Sequence, residues 1–584
     1  MIAAVTERSA LKPSPIPLGP RRGPTPTTLD PLAARSPHAI GITFQQGENG
    51  VAAAYRPGGL REQMIQDTQL TKAVSKIRQR SEKQDDPHKL LGTFVDVGIL
   101  PQLNNRNSQI FYGRRGTGKT HVLLVLRSEL MQEDERNAVA YIDARTLGSS
   151  AQFSDSQVPL PRRCLALFQD LLGELHNSLL THVVEYPSAR AEDALRATDE
   201  LAKLIVAPLK TYREETMTVT SSADEGTSSS RGVSLAADLG SSPHIEAQLS
   251  NRRVSDQRNS ESITASVRVE NEDKVIFPAL HRTLSDILQL ADSHLYILID
   301  EWSSLPSELQ PYLAEFLKRG VLAVQRATLK IASLEHRSHF EKSFNGSLIG
   351  FEVGADLAAA QDLDDYYVFD RNPEQIANAY ADMLLRHLNS ELPDGYLKAQ
   401  YGIHDGRSLA SKLFTERNTF KEMARASEGV VRDLINIFTI AYFIAHRRGR
   451  GEIDKQSIIE AARQWFEQDK ERQLDDRLHA VLRRIVDEVI GVKKARSFLL
   501  PRELERNTTV QRLFDARVLH PMQRGYADKD HPGVRYNIYT LDYGTYVDLR
   551  GTSKEPEVDL FGRAEEKADL ISSFPSTISE AFAE

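Results

Sequence analysis

The chain has 584 residues, 40% hydrophobic and 26% charged, a balance that excludes a wholly disordered or collagen-like chain. At about 150 residues per domain, the length suggests about four domains. A formal charge of −8 and a single cysteine, Cys164, exclude a global basic field for nucleic acid, an intramolecular disulfide framework and a cysteine-rich zinc site. The start, MIAAVTERSA, lacks a charged segment followed by an apolar one, and no apolar run approaches 18 residues. A soluble, cytoplasmic protein without membrane contact is therefore expected.

Residues 1–60 read as a disordered tail. Eight prolines fall between Pro13 and Pro37, and such a segment cannot bury enough apolar surface to offset its conformational entropy. A polyproline contact for a partner is the alternative. From residue 61 the texture changes. REQMIQDTQLTKAVSKIRQR reads as an amphipathic helix, and strands are expected at Gln109–Tyr112 and 138–143. Helical stretches follow, and strands alternating with helices imply a parallel α/β core over 61–372.

Residues 216–266 interrupt that rhythm. Ser or Thr occupies 18 of these 51 positions, and pieces such as SITASVRVE alternate apolar and polar. An insertion, part disordered and part β-hairpin, is expected. The α/β pattern resumes with strands at 295–300 and 329–334. Only helices are expected over 373–470. Residues 471–550 run helix, strand, two short helices and paired strands, the order of a winged helix-turn-helix. The last stretch, 551–584, carries eight acids against three bases and reads as a loose acidic tail.

Gly113-Arg-Arg-Gly116-Thr117-Gly118-Lys119-Thr120 fits G-x-x-x-x-G-K-[ST] in full. Glycines let backbone N–H groups curl around an anion, and the helix that follows aims its positive end at the phosphates. Lys119 reaches the β/γ-phosphates, and the Thr120 hydroxyl holds Mg²⁺. The second half is Leu295-Tyr-Ile-Leu-Ile-Asp300-Glu301, a buried strand ending in two acids. Asp300 is placed beside the metal, and Glu301 where a water is activated as nucleophile. That pair points to hydrolysis of ATP, and the guanine signal N-K-x-D is absent. ATP and Mg²⁺ are the expected cofactors. Trp302 reads as a buried aromatic beside the sheet, or as a monitor of nucleotide state. Cys164 reads as a core residue.

These motifs resemble the AAA+ P-loop ATPases, and more narrowly the origin-recognition (initiator-like) type, over about residues 90–550 without the Ser-rich insertion. The resemblance implies an α/β ATPase core, a helical lid, a C-terminal winged helix and a homo-oligomer. It implies that Arg432, in EGVVRD, is the sensor-2 arginine that reports the γ-phosphate to the lid. Near the end of the strand LKIASLEHR it implies a polar sensor-1 residue, for which Ser333 and His336 stand in position, His336 preferred. The family's arginine finger has no counterpart, because VGADLAAAQDLDDYYVF contains no arginine. Arg319 and Arg337 are substitutes by position only.

In a winged helix-turn-helix the second helix of the turn usually enters the major groove. Here that helix is TTVQRLFDARV, with Arg512 and Arg517. The wing carries Arg524, Lys529 and Arg535, with Tyr526 and Tyr536 between them. Residues 471–550 hold 15 Lys/Arg against 12 Asp/Glu, a weak excess for a dedicated DNA reader. Duplex DNA through Arg512, Arg517 and Arg535 is the first expectation, and a protein effector the second. The function expected is an ATPase coupling nucleotide state to assembly or DNA binding. The alternatives are a signalling switch NTPase acting through protein partners, or a transposition-regulator ATPase.

Overall fold

The computed structural model describes residues 64–549 and 556, except 82–83, 85, 149–154, 156, 207–211, 222–245, 249–260, 271–274, 345, 528–532 and 534. The expected Pro-rich tail, the acidic tail apart from Pro556, and most of the Ser-rich insertion lie outside the described residues.

The strands in chain order are β1 (Gln109–Tyr112), β2 (Asn137–Asp143), β3 (Tyr212–Ser221), β4 (Glu246–Gln248), β5 (Glu261–Glu270), β6 (His294–Asp300), β7 (Ala327–Ser333), β8 (Glu341–Phe344), β9 (Ser347–Gly350), β10 (Ala358–Asp362), β11 (Ser497–Pro501), β12 (Leu519–Ala527) and β13 (Arg535–Leu541). Five form a parallel sheet in the order β10-β1-β7-β6-β2. Every residue of β6 from Leu295 to Asp300 is buried, as expected of a parallel strand covered on both faces. Its side chains alternate between two cores. Tyr296 and Leu298 join Leu123 and Leu126 of the helix Lys119–Glu133 on one face. Leu295, Ile297 and Ile299 join Leu171 and Leu284 on the other.

The four expected core strands are present, within two residues of their expected ends. The edge strand β10 was not expected: its sequence, AAAQD, carries too little apolar bulk to read as a strand. Inside the insertion, β3 pairs antiparallel with β5 through ten residue pairs, and β4 adds to β5. The first helix is shorter than expected, Thr68–Lys76, because the Asp67 carboxylate accepts from the N–H groups of Gln69 and Leu70 and starts the helix there.

From Pro373 to Trp465 the chain is helical, with six helices beginning at Pro373–Glu391 and ending at Lys455–Trp465. Asn372, Asp405 and Asp454 cap three of them. The helix Asp476–Val486, β11, a short 3-10 turn (Arg502–Arg506), the helix Thr508–Asp515 and the hairpin β12–β13 then build a C-terminal module with sheet order β11-β13-β12. This module packs on the α/β core. Arg524 of β12 bonds to Glu335 at 2.7 Å and Asp362 at 2.5 Å, Arg337 pairs with Asp515, and Arg371 donates to the Met522 carbonyl at 2.7 Å. No described helix is long and apolar enough to cross a membrane.

Candidate functional site

The loop after β1 turns on glycines. Gly116 and Gly118 have φ of +88° and +99°, a region that side chains with a Cβ rarely enter. A Cβ on Gly116 would stand 2.8 Å from the Cβ of Arg432. Glycine there lets the loop lie directly against the start of the helix Val431–Arg447, where the Arg432 N–H donates to the Gly116 carbonyl at 3.0 Å. The helix Lys119–Glu133 begins inside the loop, so its unpaired N–H groups and positive end face the same space. Lys119 is buried, and its ammonium donates to the carbonyls of Gly113 at 2.7 Å and Arg114 at 3.0 Å. Burial holds its pKa below the ordinary lysine range against the pull of Glu301, Asp300 and Asp364.

Asp300 ends β6 fully buried. Its carboxylate is bonded by Thr120, by the Tyr141 hydroxyl at 3.0 Å and by the Glu301 N–H at 2.8 Å. Burial pushes its pKa up, with Glu301 adding to the rise. A hydroxyl bonded to a carboxylate is a hard oxygen pair, the donor set that fits Mg²⁺ together with phosphate oxygens and waters. Glu301 has φ of +53°, a sparsely populated conformation for a residue with a side chain, and it turns out of the strand into the cavity. Trp302 beside it is fully buried and stacks on Phe340 with ring centroids 5.4 Å apart, so packing explains it.

One cavity of about 540 Å³ joins these parts. Gly116, Gly118, Lys119, Thr120, Glu301 and Arg432 line it together. Ile77, Leu90, His121, Val431 and Ile435 supply an apolar and aromatic wall. Among the described residues no cluster of three His, Cys, Asp or Glu stands ready for a metal.

Residues 82–356 match the ORC-CDC6-like family model. Over those residues the chain is similar to the ORC-CDC6-like family. No curated protein matches it. Solved structures align at low identity and low TM-score. Cdc6p from Pyrobaculum aerophilum is 12% identical, with 88% of this chain and 99% of that one covered and a TM-score of 0.29. The Aeropyrum pernix ORC2 protein in ADPNP and ADP complexes is 12% identical, covering 77% and 90%, TM-score 0.32. The Aeropyrum pernix ORC1 protein in complex with DNA is 12% identical, covering 78% and 93%, TM-score 0.29.

Several expected placements need correction. His336 does not line the cavity. Its ring packs edge-on against Phe514 of the C-terminal module, centroids 4.8 Å apart. Ser333 ends β7 bonded to Ser338 and is likewise absent from the lining. Arg319 pairs with Glu315 on its own helix at 2.5 Å, and Arg337 with Asp515 of the same chain. The largest correction is Arg517. Expected on DNA, it is buried, pairs with Asp433 and Asp469, and lines the same cavity as Lys119 and Arg432. A guanidinium enclosed between two carboxylates inside the fold cannot reach a duplex backbone. Arg512 is exposed and paired with Asp475 at 2.7 Å, and Arg535 is exposed on the hairpin. Lys529 lies outside the described residues.

Sequence reasoning also missed a buried network that joins the loop to the C-terminal module. Arg114 bonds to the Glu428 carbonyl at 2.9 Å, pairs with Asp364 at 3.2 Å and meets His520 of β12. His520 bonds to Asp542 at 2.9 Å, Asp542 pairs with Lys470, and Lys470 reaches Asp433 at 3.0 Å. Asp433 directly follows Arg432. Nothing local in the sequence marks these partners, which lie up to 406 residues apart.

Burial first, then the Arg114 charge, hold the His520 imidazole down at about 4, although Asp542 opposes this and Lys470 assists it. The unfolded chain protonates this histidine near 6.5. The unfolded state therefore binds more protons between those values. The site's contribution is complete above about pH 6.5 and declines as pH falls toward 4. The urea midpoint of the wild type is expected to exceed that of His520→Gln at pH 7.5, with the gap closing on acidification to pH 4.5. A gap that stays constant over that range contradicts the assignment.

Proposed function

We propose that this protein binds ATP with Mg²⁺ in the cavity and hydrolyses it, using nucleotide state to control the position of its helical region and C-terminal module. The single observation that carries the proposal is the convergence of Lys119, Thr120, Glu301 and Arg432 on one cavity. In this reading the N–H groups of residues 113–118 and Lys119 bind the phosphates. Thr120 and Asp300 hold Mg²⁺, which screens phosphate charge when bound. Glu301 takes a proton from the attacking water, and Arg432 senses the γ-phosphate. The apolar wall from Ile77 to Ile435 takes the base. Coupling requires that the two arrangements differ in affinity for the ligand. Arg432 can supply that difference, because its backbone is bonded to the loop while its helix belongs to another region.

We place the domain boundaries at 61–372, 373–470 and 471–550, the last as a winged helix. Arg512 and Arg535 remain the candidate duplex contacts, and the homo-oligomer remains part of the proposal. The second reading, a switch acting on a protein partner, is favoured by one observation: Arg524, Asp515 and Phe514 of the C-terminal module are engaged by the core of the same chain. Phosphate release from ATP and GTP, with and without Mg²⁺ and duplex DNA, tests the proposal. Mg²⁺-dependent release from ATP is expected, and no release from either nucleotide overturns hydrolysis. Stimulation by DNA that falls steeply with salt supports the duplex reading, and a rate indifferent to DNA supports the protein partner.

A further inference from the structure

We infer that Arg517 of the C-terminal module is a phosphate ligand of the nucleotide site within its own chain, exchanging Asp469 for the nucleotide. This rests on the cavity being an ATP site, and goes beyond that reading by adding a ligand from a third region. Arg517 lies between the helix Thr508–Asp515 and β12, with φ of +61°. A side-chain-bearing residue held in that conformation is costly, and such strain persists where the surroundings fix it. Here it directs the guanidinium inward, into the cavity lined by Lys119, Thr120, Glu301 and Arg432. Asp469 and Gln473 line the same wall.

The charges around Arg517 permit the exchange. Its two partners are not equivalent. Asp433 is completely buried but also held by Lys470 at 3.0 Å, so withdrawing Arg517 leaves that carboxylate paired. Asp469 has a side chain 34% exposed, so water can take over its solvation when the guanidinium leaves. A triphosphate offers a planar guanidinium several charged oxygens in place of one carboxylate. The movement would be felt on both walls of the site. Asp433 adjoins Arg432, and His520, three residues beyond Arg517, grips Arg114 of the phosphate loop. The C-terminal module thereby becomes a reader of nucleotide state in the chain that binds the nucleotide. This also offers a source of cationic charge where residues 353–369, ahead of the helical region, carry no arginine.

Two substitutions with opposite expected signs test this in the full chain, using a fluorescent ATP analogue with Mg²⁺ and the matching ADP analogue. Arg517→Ala is expected to weaken the ATP analogue by about tenfold to hundredfold, the value of a charge-assisted hydrogen bond, with a smaller loss for ADP. Asp469→Asn removes the competitor and is expected to tighten the ATP analogue several-fold. Arg517→Lys, which retains a charge for Asp433, should fall between wild type and Arg517→Ala. A residue that merely clamps the module to the core would move both variants in the same direction, and that result overturns the inference, as does no change in either. Circular dichroism and urea midpoints check that each variant folds, and a misfolded Arg517→Ala leaves Arg517→Lys and Asp469→Asn to decide the sign. If the wild type binds the analogue and Lys119→Ala does not, the site stands even when the Arg517 signs fail. A wild type that binds neither analogue removes both.

Discussion

Glu301→Gln is expected to cut steady-state ATP turnover by about 10² to 10⁴-fold while leaving ATP affinity within a few-fold of wild type. The magnitude is that of a positioned general base. The amide keeps the size and some hydrogen bonding of the carboxylate but cannot accept the proton of the attacking water. Binding is spared because the phosphates are held elsewhere, by the loop amides, Lys119 and Mg²⁺. Loss of one negative charge beside Lys119 should also strengthen that lysine's hold on the phosphates, since Glu301 is the charge that acts most on it. Single-turnover hydrolysis and equilibrium binding, measured on the same preparation, separate the two effects. Turnover at the wild-type rate removes Glu301 from the chemistry. A parallel loss of binding and turnover shifts its role to the metal.

Lys470→Met should cost about 3–5 kcal/mol of stability, the usual result of breaking a buried ion pair from one side. Lys470 is 1% exposed and faces two carboxylates, Asp433 and Asp542, both also buried. Although burial opposes its charge, those two carboxylates lift its pKa well above the ordinary lysine range. Methionine fills the volume but leaves the carboxylates short of a cation. Arg517 still serves Asp433, and the His520 ring still hydrogen-bonds Asp542, so the lower half of that range is expected near neutral pH. A urea titration followed by near-ultraviolet dichroism of the C-terminal tyrosines reads the change. Adding Asp542→Asn to Lys470→Met should recover part of the loss, because it removes the stranded charge. A loss below about 1 kcal/mol for Lys470→Met would mean the network does not bind the helical region to the C-terminal module.

The legible parts of this fold were those that local chemistry specifies. The loop from Gly113 to Thr120 carries its geometry in its glycines, and Lys119 and Thr120 follow from their spacing. The acids Asp300 and Glu301 were readable because five apolar residues in a row, Leu295 to Ile299, read as a buried strand that ends on them. The placement of Arg432 against Gly116 was suggested by resemblance, and the close approach of its Cβ to Gly116 gives that placement a physical reason. Long-range features were not legible. Arg517 sits on a helix-and-strand pattern that reads as a DNA-facing module, and nothing in TTVQRLFDARV shows that Asp433, 84 residues earlier, waits for it. His336 failed for the same reason: its strand ends in polar residues as a sensor strand should, yet Phe514 takes its ring. The weak net charge of residues 471–550 was the available warning, and Arg496, Arg517 and Arg524 there are committed to carboxylates inside the fold.

The central claim is that the cavity beside Gly113–Thr120 holds a nucleoside triphosphate. Isothermal titration of the intact chain with ATP and Mg²⁺, beside Lys119→Ala, tests it most directly. One saturable site per chain in the wild type, lost in Lys119→Ala, is the predicted result. Absence of heat in the wild type, or unchanged binding in Lys119→Ala, would contradict it.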